Sequence, residues 1–166
     1  SKEQLVFARG LAAAAAKTKA WVITDGLSDD VASLCGRALR DSQVPLLGLA
    51  PWQCIADHVA MEQKPNGQVH LYGTGAGVAY PTKASGAPRA VDGIQALEPN
   101  HTHFLLVDSG GAAQLGSERP LRSALERYLC DTDVSGDEVR TPLVVVVING
   151  DETTLKAVVE ALDPAD

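Results

Sequence analysis

Three short stretches place small or acidic residues directly after apolar runs: Thr24-Asp25-Gly26-Leu27, Ala50-Pro51-Trp52 and Asp108-Ser109-Gly110-Gly111. Glycine beside a small polar residue, between a strand and a helix, lets the backbone turn sharply or lets a ligand approach it closely. The free N–H groups at the start of a following helix suit a phosphate. The chemistry this favours is binding of a nucleotide or a sugar phosphate, with a purely structural turn as the alternative. Two further side chains extend the set. Arg122, in the first turns of a helix, is placed to grip a phosphate bidentately, or to pair with Glu118 or Glu126 four residues away. Glu118 suits a ribose hydroxyl, a general base, or simple first-turn charge. Trp52 suits a stacked base or a plug for the core.

Other candidates are weaker. His101 and His103 alternate on one strand, as a metal site requires, but no third ligand is evident and a structural role is favoured. Gly73, Gly75 and Gly77 imitate a dinucleotide fingerprint, yet no helix pattern follows and Pro81 intervenes. Cys54 has His58 four residues on, a weak sign of a nucleophile pair; a buried thiol is the better reading. No Gly-x-Ser-x-Gly elbow is present. No catalytic residue and no metal site are therefore assigned.

These residues need elements to position them. Leu5, Val6, Leu11, Ala12 and Ala15 recur at helical spacing, and the alanine run favours a helix. Trp21-Val22-Ile23 reads as a strand. Ser28 reads as an N-cap, with acids behind it, for a helix to about Arg40 whose inner face is Val31, Leu34, Cys35, Ala38 and Leu39. Residues 44–50 form the next strand, 53–61 a short helix, 64–67 a turn and 68–71 a short strand. Residues 73–92, rich in Gly, Ala and Pro, read as a flexible loop. Residues 101–107 are a strand, and 119–129 a helix with Leu121, Leu125, Tyr128 and Leu129 on one side. The run LVVVVI at 143–148 lacks alternation and so predicts a strand buried on both faces, before a closing helix over 153–162. Strands alternating with helices imply an α/β fold, doubly wound, with a mainly parallel sheet and helices on both faces. In such a sheet, ligands sit off the carboxyl ends of the strands, where the three stretches converge.

The totals agree. A chain of 166 residues is read as one domain, 1–166. A formal charge of −7 disfavours a broad nucleic-acid surface. Three separated cysteines without CxxC spacing argue for reduced thiols rather than a disulfide framework. No apolar run reaches the ~18–20 residues of a membrane span. The stretch is expected to be soluble.

The blocks WVITDG, GLAPW, NHTHFLLVDSGG, GSERPLRSALERYL and PLVVVVINGD follow one another in an order that resembles the N-terminal homology region of TRPM channels. These are the melastatin-type transient receptor potential cation channels. The resemblance runs from about Leu5 to Leu162. It implies the Rossmann-like SLOG fold, related to the cytokinin-activating LOG phosphoribohydrolases and to the DNA-processing protein DprA. In some of these channels it also implies an ADP-ribose site that controls gating. The matching positions here are Thr24 to Gly26, Trp52, Asp108 to Gly111, Glu118 and Arg122. The resemblance further implies a place on the cytoplasmic side of the membrane, in a calcium-conducting, tetrameric channel. Its partners would be a nucleotide and the neighbouring domains and subunits.

The chain also departs from the pattern. Asp25-Gly26 stands where the family usually has Gly-Gly, which adds negative charge beside a phosphate. Ala112-Ala113 replaces a Thr-His pair, and Asp57 and His58 stand where basic residues often follow Pro-Trp. A first strand with its own glycine turn lies outside the stretch, so a fragment is expected. Two other readings follow. A LOG-like nucleotide phosphoribohydrolase would need a Gly-Thr and an acid at an offset that DSGGAAQLGSE does not reproduce. A scaffold that has lost its ligand would serve subunit contacts alone.

Overall fold

The computed structural model describes residues 1–28, 30–56, 58, 94–111, 114–133, 140–148, 150 and 152–162. The expected loop over 73–92, the turn at 64–67 and the short strand at 68–71 lie outside these residues. So do Asp57 and Ala112-Ala113. The chain divides into two compact units, Ser1–Gly116 and Ser117–Asp166.

The first unit opens with helix α1, Lys2–Thr18. Ser1 and Gln4 cap it reciprocally, the Ser1 hydroxyl accepting the Gln4 N–H at 3.3 Å. Such a box satisfies donors that the first turn leaves open. Strand β1, Val22–Thr24, then helix α2, Asp30–Leu39, then strand β2, Leu46–Pro51, form a right-sized crossover unit. Strand β3, His103–Val107, is the third strand of the sheet among the described residues. The order is β1-β2-β3 and both pairings are parallel, with Val22 opposite Leu46, Thr24 opposite Gly48, and Pro51 opposite Val107. Parallel neighbours require a crossover, which α2 supplies between β1 and β2. The α/β class expected from the alternation is what the chain adopts.

β2 lies in the middle and all but one of its residues are buried, whereas β3 has exposed positions, Leu105 among them at 39%. The α2 face reads as expected, with Leu34, Cys35 and Leu39 buried. Two core clusters result. Ala15, Cys35, Leu39, Val44 and Leu46 join α1 and α2 to the N-terminal ends of the strands. Leu27, Ala50, Ile55 and Leu97 fill the C-terminal ends, with Trp52, Phe104 and Leu106 packed against them. Each fully buried leucine in these clusters contributes about 1.5–3 kcal/mol. The border of interest therefore rests on its own core.

The second unit contains helices α3, Arg119–Asp131, and α4, Glu152–Leu162. Pro120 sits in the first turn of α3, where its missing N–H is harmless. One expectation fails here. The run at 143–148 forms no strand, and Leu143 to Val147 are all exposed, Val144 at 77%. A strand needs a neighbour to share its N–H and C=O groups, and the described residues of this unit hold helices only. On α3, Leu121 and Tyr128 are 45% and 60% exposed, whereas Leu125 and Leu129 are half-buried.

Candidate functional site

β1 ends at Thr24, level with Gly48 and Phe104 in the register. Gly26 then takes φ +70°, and a Cβ there would lie 2.7 Å from the Gly48 Cα and 2.9 Å from the Phe104 ring. Glycine is required twice over, by conformation and by packing. The turn closes on itself. The Thr24 hydroxyl accepts the Gly26 N–H at 2.9 Å, and the Asp25 carboxylate accepts the Leu27 N–H at 3.0 Å. A strip at 95–98 lies across it: Ser28 N–H donates to the Ala96 carbonyl at 2.7 Å, and Glu98 N–H to the Gly26 carbonyl at 2.8 Å. The Ser28 hydroxyl, read as a helix cap, donates to the Leu97 carbonyl at 3.0 Å. The N–H groups of Gly26, Leu27 and Ser28 are thus all engaged within the chain.

Behind the turn, Thr24 Oγ1 lies 2.8 Å from His101 Nε2, and His101 Nδ1 lies 2.9 Å from Glu98 Oε2. Glu98 also accepts from the Asn100 main chain at 2.9 Å and side chain at 2.6 Å. Hydroxyl, imidazole and carboxylate follow in the order of a hydrolytic triad. Yet Thr24 is 9% exposed and its oxygen already takes the Gly26 N–H. This is a brace rather than a nucleophile.

β2 ends at Pro51, which is buried, and Trp52, which is half-buried. Trp52 packs on the Leu27, Ala50, Ile55 and Leu97 cluster and meets His58 edge-on, ring centroids 5.8 Å apart. Gln53 Nε2 donates to Asp108 Oδ1, tying this end to the end of β3.

β3 runs into Asp108, whose Oδ1 also accepts the Gly110 N–H at 2.8 Å. That bond, and then the one from Gln53, hold the carboxyl below its ordinary 3.8. Gly110 takes φ +68°, but nothing lies within 4 Å of where its Cβ would be. The nearest atom to a Cβ on Gly111 is Ser109 Oγ at 3.9 Å. Ser109, Gly110 and Gly111 are exposed. Among the described residues, the Gly111 N–H makes no hydrogen bond.

The parallel sheet puts all three ends on one border. The β1 turn sits three residues lower in register than Pro51, about 10 Å deeper at ~3.3 Å per residue. Trp52 and Asp108 stand at the rim. Glu118 and Arg122 belong to the second unit. Glu118 is the N-cap residue of α3, 9% exposed, with no side-chain capping bond. Arg122 Nε donates to Glu126 Oε1 at 2.8 Å, so it uses one of its two intrahelical partners.

His101 and His103 do not form a pair: the His101 side chain is wholly buried and His103 is exposed. Among the described residues no group of three or more His, Cys, Asp or Glu is placed to hold a metal. Cys54 is 1% exposed, and His58 Nδ1 donates to the Ile55 carbonyl at 2.9 Å. Reading residues alone missed Glu98 and Gln53. One signal for Glu98 was available: Gly36 sits inside α2, and a Cβ there would overlap the Glu98 carboxylate. A glycine within a helical pattern marks close approach by something else.

The family described as "SLOG in TRPM" matches residues 1–165. The chain belongs to this family. It is 30% identical over 169 residues to the transient receptor potential cation channel subfamily M member 2 of Mus musculus, covering 95% of this chain and 10% of that one. It is 30% identical over 164 residues to member 4 of Rattus norvegicus, covering 92% and 13%, and 31% identical over 170 residues to member 1 of Mus musculus, covering 97% and 10%. The chain thus spans about a tenth of the length of these relatives. As a SLOG region it has the parallel α/β sheet that the resemblance implied. Among its described residues no helix is long and apolar enough to cross a membrane.

Proposed function

We propose that this SLOG region binds ADP-ribose or a related nucleotide at the C-terminal border of its sheet and thereby biases the gating of a TRPM-type cation channel from the cytoplasmic side. The observation that supports the reading is the contrast in openness along the border. The Gly110-Gly111 turn is exposed, with open space where side chains would be, and it stands beside Trp52 through the Gln53–Asp108 bond. The Gly111 main-chain N–H there suits a phosphate, Trp52 a base, and the Asp108 carboxylate, which already holds the Gly110 N–H, a ribose hydroxyl, as acids do in related dinucleotide sites. Thr24, Asp25, Gly26 and Leu27 form the floor. A ligand that prefers one channel state shifts the equilibrium by its differential affinity, through contacts to neighbouring domains and subunits.

A second reading, a scaffold without a ligand, is favoured by one observation: the β1 turn has already used the N–H groups a phosphate would need. Calorimetric titration of the chain with ADP-ribose, AMP and cyclic ADP-ribose separates the two. Saturable heat with ADP-ribose supports binding. Absence of heat with all three leaves the scaffold.

A further inference from the structure

We infer that His101 is a positioning residue for the border: held in its Nδ1–H tautomer by Glu98, it fixes the Thr24 hydroxyl and with it the turn Thr24–Leu27. The inference deepens the binding reading and rests on it.

The buried acid sets the direction of every proton in the relay. A carboxylate can only accept hydrogen bonds. Glu98, 3% exposed, accepts from Asn100 twice and faces His101 Nδ1 at 2.9 Å. Nδ1 must therefore carry a proton, and in the neutral ring Nε2 is left as an acceptor. The Thr24 hydroxyl then donates to Nε2 across 2.8 Å. Its lone pair stays available for the Gly26 N–H at 2.9 Å. Glu98 closes the circuit from its own main chain, donating to the Gly26 carbonyl. With a neutral ring, this arrangement satisfies all the groups at once.

The surroundings fix the ring as firmly as its bonds do. His101 stacks on Phe104, centroids 5.4 Å apart and planes at 30°, and Phe104 packs over Gly26 and Gly48. Helix α2 contributes a glycine, Gly36, where any side chain would displace the acid. An apolar filler would hold the layers together without desolvating a carboxylate. What the relay adds is direction: it ties one turn, through its Thr, to one conformation. That turn carries Asp25 and Gly26, the floor of the proposed site.

The test uses the 166-residue chain and two independent readouts. Histidine 15N NMR reads the tautomer directly. An Nδ1–H pattern for His101 is expected, with an Nε2 shift that moves in Thr24→Val and returns in Thr24→Ser. The Gly26 amide proton should move and return in parallel. Calorimetry with ADP-ribose then reads positioning: Thr24→Val should weaken binding roughly five- to tenfold, the scale of one neutral hydrogen bond, while Thr24→Ser stays near the unaltered chain. An Nε2–H tautomer would overturn the relay. The expected tautomer with equal affinity in all three chains would overturn positioning while leaving the binding site standing. No heat with the unaltered chain would remove the ligand role of His101 together with the binding reading. The melting transition of Thr24→Ser guards against simple misfolding, since this variant keeps the hydroxyl.

Discussion

The turn after β1 and the turn after β3 are built alike: in each an Asp carboxylate accepts the N–H two residues ahead, from Leu27 and from Gly110, and a glycine takes a positive φ, +70° at Gly26 and +68° at Gly110. Their surroundings differ. Gly26 is wedged against the Gly48 backbone and the Phe104 ring, and its neighbours' polar groups are consumed by Thr24 and the 95–98 strip. Gly110 faces open space, and a Cβ on Gly111 would meet only Ser109 Oγ at an unstrained 3.9 Å. An Asp with a glycine one or two residues on, directly after a strand, therefore identifies a turn. What stands on the next strand decides whether the glycine serves packing or leaves a surface for a ligand.

Substitution at the glycines gives the largest expected separation. Gly26→Ala forces an L side chain into the left-handed region and into the Gly48 backbone at the same time. Strain of about 1–3 kcal/mol and overpacking of about 1–3 kcal/mol predict a combined loss of about 2–6 kcal/mol. Gly111→Ala meets neither obstacle and should stay within about 0.5 kcal/mol. Urea unfolding midpoints measure both. Similar losses at the two positions would break the distinction between a packed turn and an open one.

Much of this was legible from residue pattern. All three strands of the sheet and four helices fall close to where periodicity put them, because apolar runs of strand length bounded by Gly, Pro and Asp are local signals. The convergence of the three ends follows from parallel pairing alone. Three features were not legible. The 143–148 run has the composition of a central strand, but composition says nothing about whether a neighbour is there to pair with it. The Thr24–His101 bond spans 77 positions, and LEPNH reads as an ordinary polar turn until Glu98 is seen buried. Gly26 looked like room for a phosphate, whereas the room is filled by Gly48 and Phe104.

Gly36→Ala sharpens the comparison from a distance. In an exposed helix the change would stabilise by about 1 kcal/mol. Here the new methyl displaces a buried carboxylate from His101 and Asn100, and breaking such a network costs about 1–3 kcal/mol or more. A net loss of about 1–2 kcal/mol is expected. In amide spectra the Gly26 resonance should shift while Gly110 and Gly111 stay in place. A shift at the open turn would mean that the two turns are coupled and do not differ in kind.

Gly110→Ala isolates conformation from packing, because only φ opposes it. A loss of about 1 kcal/mol is expected, between those of Gly26→Ala and Gly111→Ala in the same urea series. A loss as large as that at Gly26 would show that the open space around Gly110 is not open in solution.

The smallest effect is electrostatic and belongs to the open turn. The Gly110 N–H and then Gln53 stabilise the ionised form of Asp108, so its folded-state pKa lies below 3.8. The sign follows from linkage: a depressed carboxyl pKa adds stability that is fully present above the unfolded value and is lost as pH falls through the folded one. Near neutrality the contribution is constant, and in acid it fades. Carbon-detected titration of Asp108 should place its midpoint below 3.8, and Gln53→Ala should raise it only part of the way, because the larger cause is the Gly110 bond. A midpoint restored fully by Gln53→Ala would mean that the side chain, not the turn, holds the charge. Since Asp108 stays ionised where nucleotides bind, Asp108→Asn divides two poses for the ligand. Tighter binding of ADP-ribose would put a phosphate beside residue 108, relieved of repulsion. Weaker binding would put a ribose hydroxyl there, deprived of its acceptor.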